Sequence, residues 1–237
     1  MIRVGTSGFS YQHWKGVFYP EDLPQRRFLG FYSGRFDCVE INSSFYHLPR
    51  QTTLESWHER TPEDFLFVLK GSRYVSHIKR LKDCEEPVNV FYKRAEALQE
   101  KLALVLWQLP PSIEVNLSLL KTFLGLLPVK PTPVLEFRDP SWFTQKVYEL
   151  LAAKGATLCV HDMPKSRCQE ILIGPLLYLR FHGPGGGYQG SYPDSQLQRR
   201  AHWARQSGAR DIYAFFNNDI GGYAVQNAAT FRELLQA

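Results

Sequence analysis

Three short apolar runs in this 237-residue chain each close on two polar residues spaced two apart. They are Glu40 and Asn42 in Cys38-Val39-Glu40-Ile41-Asn42, Glu136 and Arg138 in Val134-Leu135-Glu136-Phe137-Arg138, and Arg180 and His182 in Tyr178-Leu179-Arg180-Phe181-His182. A fourth run, from Phe65 to Lys70, ends on a lysine, and an eighth-strand candidate runs into Asn217-Asn218-Asp219. In an extended chain, residues two apart share a face, so each polar pair points one way while Val39/Ile41, Leu135/Phe137 and Leu179/Phe181 point the other. Glu40, Glu136 and His182 are groups able to move protons near neutral pH, which makes them the candidate catalytic residues. Glu136 lies two residues from Arg138 and is expected to titrate low; Glu40, beside neutral Asn42, has more freedom to be the acid. Lys70, Arg73, Arg138 and Arg180 are cations suited to a phosphate or another anion. His77, Tyr188, Asn42, Asn217 and Asp219 complete the candidate substrate-binding set.

Three functions fit this inventory. The first is an enzyme, a hydrolase or lyase, acting on a small anionic, phosphate-bearing substrate. Here the four cations hold the anion, Glu40 or Glu136 serves as acid or base, and His182 is a second proton carrier; a mouth sealed by direct ion pairs would overturn it. The second is glycoside hydrolysis by Glu40 and Glu136, with carboxyl groups about 5–5.5 Å apart for retention or roughly 6.5–9.5 Å for inversion. An arginine wedged between them would remove that chemistry. The third is nucleic-acid binding without catalysis. A divalent metal on Glu40, Glu136, His182 and Asp162 is a variant of the first, disfavoured by the neighbouring cations; no other cofactor is expected.

Two loops bear on the choice. Residues 70–82 hold five fixed positive charges, with Tyr74 among them, before the first acid at Asp83. Basic residues interleaved with an aromatic suit a polyanion as well as a solvated turn. Residues 183–190 hold five glycines in eight positions, which suits an amide nest for phosphate, a lid or a plain flexible turn. No P-loop, G-x-S-x-G or H-E-x-x-H pattern occurs.

The elements that must position these residues follow from the periodicity. Strand-like runs at 2–5, 36–41, 65–70, 102–108, 133–137, 157–161, 176–181 and 212–216 alternate with amphipathic segments near 24–34, 52–60, 87–100, 113–127, 142–153, 194–207 and 223–235. The short stretch 162–174 is expected to hold a poor helix. Alternating strands and helices imply a parallel sheet, and eight units in this length imply one (β/α)8 TIM barrel over residues 1–237. A doubly wound sheet would show a glycine fingerprint after its first strand, whereas Gly5-Thr6-Ser7-Gly8-Phe9 lacks that spacing. In a barrel, the polar strand ends gather at the carboxyl-end mouth, where barrel active sites lie.

With 44% hydrophobic and 22% charged residues, the chain is too apolar for disorder, and its net charge of +5 is a mild bias. No apolar run reaches the roughly 18–20 residues of a membrane helix. Met1 leads directly into Ile2-Arg3-Val4-Gly5 without a signal peptide, so a cytoplasmic protein is expected, with no membrane partner. Cys38, Cys84, Cys159 and Cys168 show no metal-binding spacing and read as reduced thiols.

Taken in order, these strand-end phrases resemble the YecE-like family, a domain of unknown function numbered seventy-two. The resemblance rests on Val4-Gly5-Thr6-Ser7-Gly8, Trp14-Lys15-Gly16, Val39-Glu40-Ile41-Asn42-Ser43-Ser44-Phe45-Tyr46, Lys70-Gly71-Ser72-Arg73-Tyr74, Gln108-Leu109-Pro110-Pro111, Glu136-Phe137-Arg138, Arg180-Phe181-His182-Gly183 and Phe216-Asn217-Asn218-Asp219. It implies a TIM barrel and supplies no reaction. Gly71 stands where similar proteins tend to have alanine, a change of little expected chemical consequence.

Overall fold

A computed structural model describes residues 1–164, 166 and 168–237. Eight strands, β1 (Ile2–Thr6), β2 (Cys38–Ile41), β3 (Leu66–Lys70), β4 (Leu102–Gln108), β5 (Thr132–Glu136), β6 (Thr157–His161), β7 (Leu177–Phe181) and β8 (Ile212–Phe216), form one sheet. Its order is β1-β8-β7-β6-β5-β4-β3-β2, with every ladder parallel. The chain neighbours β1 and β2 meet at the two ends of that order, and a single parallel bridge between Ser7 and Glu40 closes the cylinder. This is the TIM-barrel architecture that the alternation predicts.

At the β1–β2 seam a side chain stands in for the missing ladder. The fully buried Tyr32 hydroxyl accepts from the Thr6 amide at 2.9 Å and donates to the Cys38 carbonyl at 3.1 Å. Both backbone groups are thereby satisfied without direct strand pairing, as buried amides and carbonyls require.

The helices are α1 (Phe28–Ser33), α2 (Ser43–Tyr46), α3 (Gln51–Glu59), α4 (Glu85–Ala95), α5 (Leu117–Leu126), α6 (Gln145–Lys154), α7 (Asp194–Gln206) and α8 (Tyr223–Gln236). Their starts are local events; Asn116, for example, caps α5 by accepting the Leu119 amide at 2.9 Å. Between β6 and β7 the described residues of 162–174 form no helix, so the poor helix expected there is absent from them. The basic stretch after β3 contains a single π-helical turn, Tyr74–Ile78.

The period-two pattern sorts the core into two shells. Val39, Ile41, Phe67, Leu69, Leu135, Phe137, Leu179 and Phe181 pack between sheet and helices. Cys38, Val68, Leu106, Val134, Cys159, Tyr178 and Phe215 fill the barrel interior. On three strands the inner residue is followed two positions later by a charge: Cys38 by Glu40, Val134 by Glu136, Tyr178 by Arg180. The barrel is apolar below and ionic above.

Gly71 proves more constrained than the sequence suggests. A Cβ there would overlap the six-membered ring of the buried Trp107, so the bare backbone lets the chain leave β3 across that indole.

Candidate functional site

The carboxyl ends of β2, β5 and β7 bring Glu40, Glu136 and Arg180 together in the barrel axis. Arg180 lies between the two carboxylates and bonds both. Its Nε and Nη2 reach Glu40 Oε1 at 3.1 and 2.7 Å, and its Nη1 reaches Glu136 Oε2 at 2.7 Å. Arg138 Nε bonds the other Glu136 oxygen, and the Tyr178 hydroxyl donates to Glu40 Oε2 at 2.6 Å. Every carboxylate oxygen thus has a strong donor. Glu40, Glu136 and the Arg180 guanidinium are almost completely enclosed.

Burial alone would favour the neutral form of Glu136, but Arg138 and Arg180 overrule it and hold its carboxyl well below the usual range. Burial likewise opposes the charge on Arg180, and Glu40 with Glu136 more than offsets it. The low-titrating Glu136 expected from sequence is what the geometry produces. Glu136 is held as an anion by its two guanidiniums, and both oxygens of Glu40 are engaged, one by Arg180 and the other by Tyr178. Arg180 between them also removes the paired-carboxylate arrangement of a glycoside hydrolase.

His182 is tied into the same floor. Its Nε2 receives Arg138 Nη2 at 2.9 Å and Arg180 Nη1 at 3.4 Å. Guanidinium groups only donate, so Nε2 carries no proton, and Nδ1–H faces Asp162 Oδ1 at 3.3 Å. Burial is the main reason its pKa falls to about 4. An imidazole held in one neutral tautomer by these partners is a hydrogen-bonding strut between the arginines and Asp162. Asp162 is itself held by the His182 amide and by the Tyr192 hydroxyl, which also accepts the Gly183 amide at 2.6 Å.

These residues do not converge on a metal position. Glu40 and Glu136 are separated by the Arg180 guanidinium, and Nε2 of His182 faces donors of Arg138 and of that same Arg180. Among the described residues no cluster of three or more His, Cys, Asp or Glu side chains is placed to hold a metal ion.

The remaining predicted residues form a rim above this floor. Asn42 accepts from Arg180 Nη2 and donates to Asn217 Oδ1, both at 3.3 Å. The Lys70 ammonium lies 4.2 Å from the centre of the Phe45 ring. Burial and the nearby Arg180 lower its pKa to about 8. His77 packs edge-on against the same ring at 4.9 Å, and burial together with Lys70 brings its pKa to about 4. Arg73 is exposed at the start of the π-helical turn. Tyr188 sits on the glycine loop, its ring 5.7 Å from that of His182. Asp219 turns aside: its carboxylate meets His13 at 3.3 Å, and its carbonyl takes the Trp14 indole N–H.

Two loop expectations change. The amides of Gly186 and Tyr188 donate to the Gly183 and His182 carbonyls, so the glycine loop closes on itself and those amides are not free as a phosphate nest. Arg80 of the basic stretch bonds the Ser112 carbonyl at 2.7 Å and its hydroxyl at 3.2 Å, which ties one of the positive charges to the β4–α5 connection. Sequence reasoning missed Tyr178, Tyr32, Tyr192 and His13. Only Tyr178 had a usable signal, because it extends the Arg180/His182 alternation one step inward.

The fold and its ionic upper tier define a TIM-barrel protein whose carboxyl-end mouth is built on a buried Glu–Arg–Glu bridge. The model of a family described as "Protein of unknown function DUF72" matches residues 3–237, and the chain belongs to that family. It is 28% identical over 281 residues to the UPF0759 protein YunF of Bacillus subtilis, an alignment covering 99% of this chain and 95% of YunF. It is 29% identical over 158 residues to the UPF0759 protein YecE of Escherichia coli K12, covering 65% of this chain and 55% of YecE. The crystal structure of a DUF72 family protein from Thermotoga maritima superposes with a TM-score of 0.91 at 31% identity, over the full length of both chains. No helix among the described residues is long and apolar enough to cross a membrane.

Proposed function

We propose that the protein is an enzyme that takes a small anionic, phosphate-bearing substrate at the carboxyl-end mouth, with Lys70 as the group that meets it. One observation supports this above all. Lys70 is a half-buried residue at the mouth, and its ammonium has no carboxylate within ion-pairing distance among the described residues. Below it two carboxylates face two guanidiniums and cancel, so the lysine is the unbalanced charge. The direct ion pairs across the floor overturn the four-cation site expected from sequence, so Arg138 and Arg180 both leave the list of anion ligands, and the reading rests on Lys70 with Arg73 of the adjoining turn.

A partly desolvated ammonium attracts an anion far more strongly than one in water. At 4 Å a pair of unit charges gains about 4 kcal/mol at an effective dielectric of 20, against about 1 kcal/mol in bulk water. With a pKa of about 8, Lys70 is also the mouth group best matched to proton transfer near neutrality. Acid–base duty thus moves from the carboxylates to the lysine, and the reaction class remains hydrolysis or elimination.

Calorimetric titration with inorganic phosphate tests the reading. Binding should be accompanied by proton uptake at pH 8–9, because the anion raises the lysine pKa again. The Lys70→Met variant should lose at least tenfold in affinity while keeping its fold. Equal affinity in the two proteins would refute it. An independent check is stability against pH. The lysine titrates lower folded than unfolded, so between about pH 8 and 10.4 the unfolded chain binds more protons and stability rises with pH. Lys70→Met should lack that rise.

A further inference from the structure

Beside the mouth, at the β1–β2 seam, lies a groove of about 470 Å³, within the range of small-molecule sites. It runs from Asn42, Ser43 and Tyr11 at the mouth edge to Trp57, Arg60 and Arg26 at its outer end. It lies between the loop after β1, through Gly8–Tyr11, and the end of β2, at Ile41–Ser43.

The walls have a distinct chemistry. Two arginines line the groove, and no carboxylate does among the described lining residues. Among the described residues the Arg60 guanidinium makes one hydrogen bond, from Nη2 to the Arg26 carbonyl, and its other donors are left for a ligand or solvent. Trp57, near the end of α3, lines the same groove as Arg60, the residue that follows the helix. Its indole is fixed by a stack on Phe67 (5.9 Å, 10°) and by the edge contact of Phe9 (5.8 Å, 82°). Trp57 is half-buried, and its N–H, which has no protein acceptor among the described residues, is open to a ligand or to solvent. A rigid aromatic wall, an unspent indole donor and unopposed guanidiniums complement a flat ligand rich in acceptors.

We infer that this groove is a second compartment of the mouth, one that binds an aromatic or heteroaromatic ring bearing a phosphate or carboxylate, with the ring against Trp57 and the anionic group on Arg60. The inference rests on the mouth reading only for what lies beyond Asn42; the groove recognises its own ring and its own charge.

Titration with phenyl phosphate and with benzoate, followed by tryptophan emission and calorimetry, tests it. Inorganic phosphate and benzyl alcohol are the single-feature controls. At least one ring-bearing anion should bind tenfold or more tighter than either control and change the emission, and comparison of the two tells phosphate from carboxylate. Arg60→Gln, a surface change that leaves the core intact, should weaken that binding at least tenfold, and Trp57→Phe should abolish the emission change. The inference is overturned if the ring-bearing anions bind no tighter than the controls, or if both variants bind as the parent does. The two readings fail separately. Phosphate binding that needs Lys70 and gains nothing from a ring sinks the groove alone. A ring-bearing anion that needs Arg60 and ignores Lys70→Met, with no phosphate binding, sinks the mouth reading alone.

Discussion

Replacing Glu136 by glutamine keeps the side chain's shape and removes its charge, which isolates what that charge does. In the native barrel the carboxylate is wholly enclosed, bonded through one oxygen to Arg138 and through the other to Arg180 at 2.7 Å. In the variant Arg180 keeps Glu40, but two positive groups now share one buried anion. Removing one partner of a buried ion pair costs about 3–5 kcal/mol, because the other charge stays desolvated. Unfolding entropy near the midpoint is about 2.1 cal/mol/K per residue, or roughly 0.5 kcal/mol/K for 237 residues, so the melting temperature should fall by about 6–10 °C. Thermal unfolding followed by circular dichroism, with urea titration as a check, measures this. The deficit should survive 1 M salt, since enclosed pairs are poorly screened. The sign with pH is also fixed. Glu136 titrates lower folded than unfolded, so its contribution is present above the ordinary carboxyl value near 4.3 and is lost as pH falls toward its folded value. The gap between parent and variant should therefore narrow in acid. A loss below about 1 kcal/mol at neutral pH would show that Glu136 does not neutralise the guanidiniums. The carboxylate would then be free for catalysis after all.

Other consequences can be checked alongside it. His182 titrates near 4 folded and near 6.5 unfolded, so stability should fall by up to about 3 kcal/mol as pH drops through that interval, and His182→Asn should flatten this part of the profile; an unchanged slope refutes the locked neutral tautomer. Tyr192→Phe strands the Gly183 amide and an Asp162 oxygen, costing about 1–3 kcal/mol, and hydrogen exchange across residues 183–190 should quicken; unaltered exchange would mean the loop is held otherwise. Gly71→Ala should cost about 1–3 kcal/mol by pressing on Trp107, visible as a change in near-UV dichroism, and a neutral outcome would show that β3 can shift to make room.

Much of this architecture is legible in the sequence because the barrel obeys a local rule. Alternation along Val39–Asn42, Leu135–Arg138 and Leu179–His182 predicts which side chains turn inward, and the same alternation gathers the charges at one end. What alternation cannot say is which charges meet. Arg180 reaches across the axis to Glu40, 140 residues away in the chain, and the choice between an open anion site and a closed ion-pair floor depends on that contact. Side chains that work through the backbone leave even less trace. Tyr32 reads as one more apolar-facing position of α1, and its role between two strands depends on a distance that no spacing encodes. The glycine loop misleads for a related reason, because composition reports freedom of the backbone but not which amides are already used.

The hydroxyl of Tyr32 has an implication for self-association. The barrel is, in its bonding, an open eight-stranded sheet rolled up and clasped at its seam by the Tyr32 hydroxyl, a single bridge and the Arg3–Asp37 ion pair. Release the clasp and every other ladder survives, but β1 and β2 become free edges with unpaired amides and carbonyls. Such edges recruit strands from other molecules. Tyr32 is therefore a guard as much as a strut: it keeps a sheet with seven intact ladders from offering its ends to a second copy of itself.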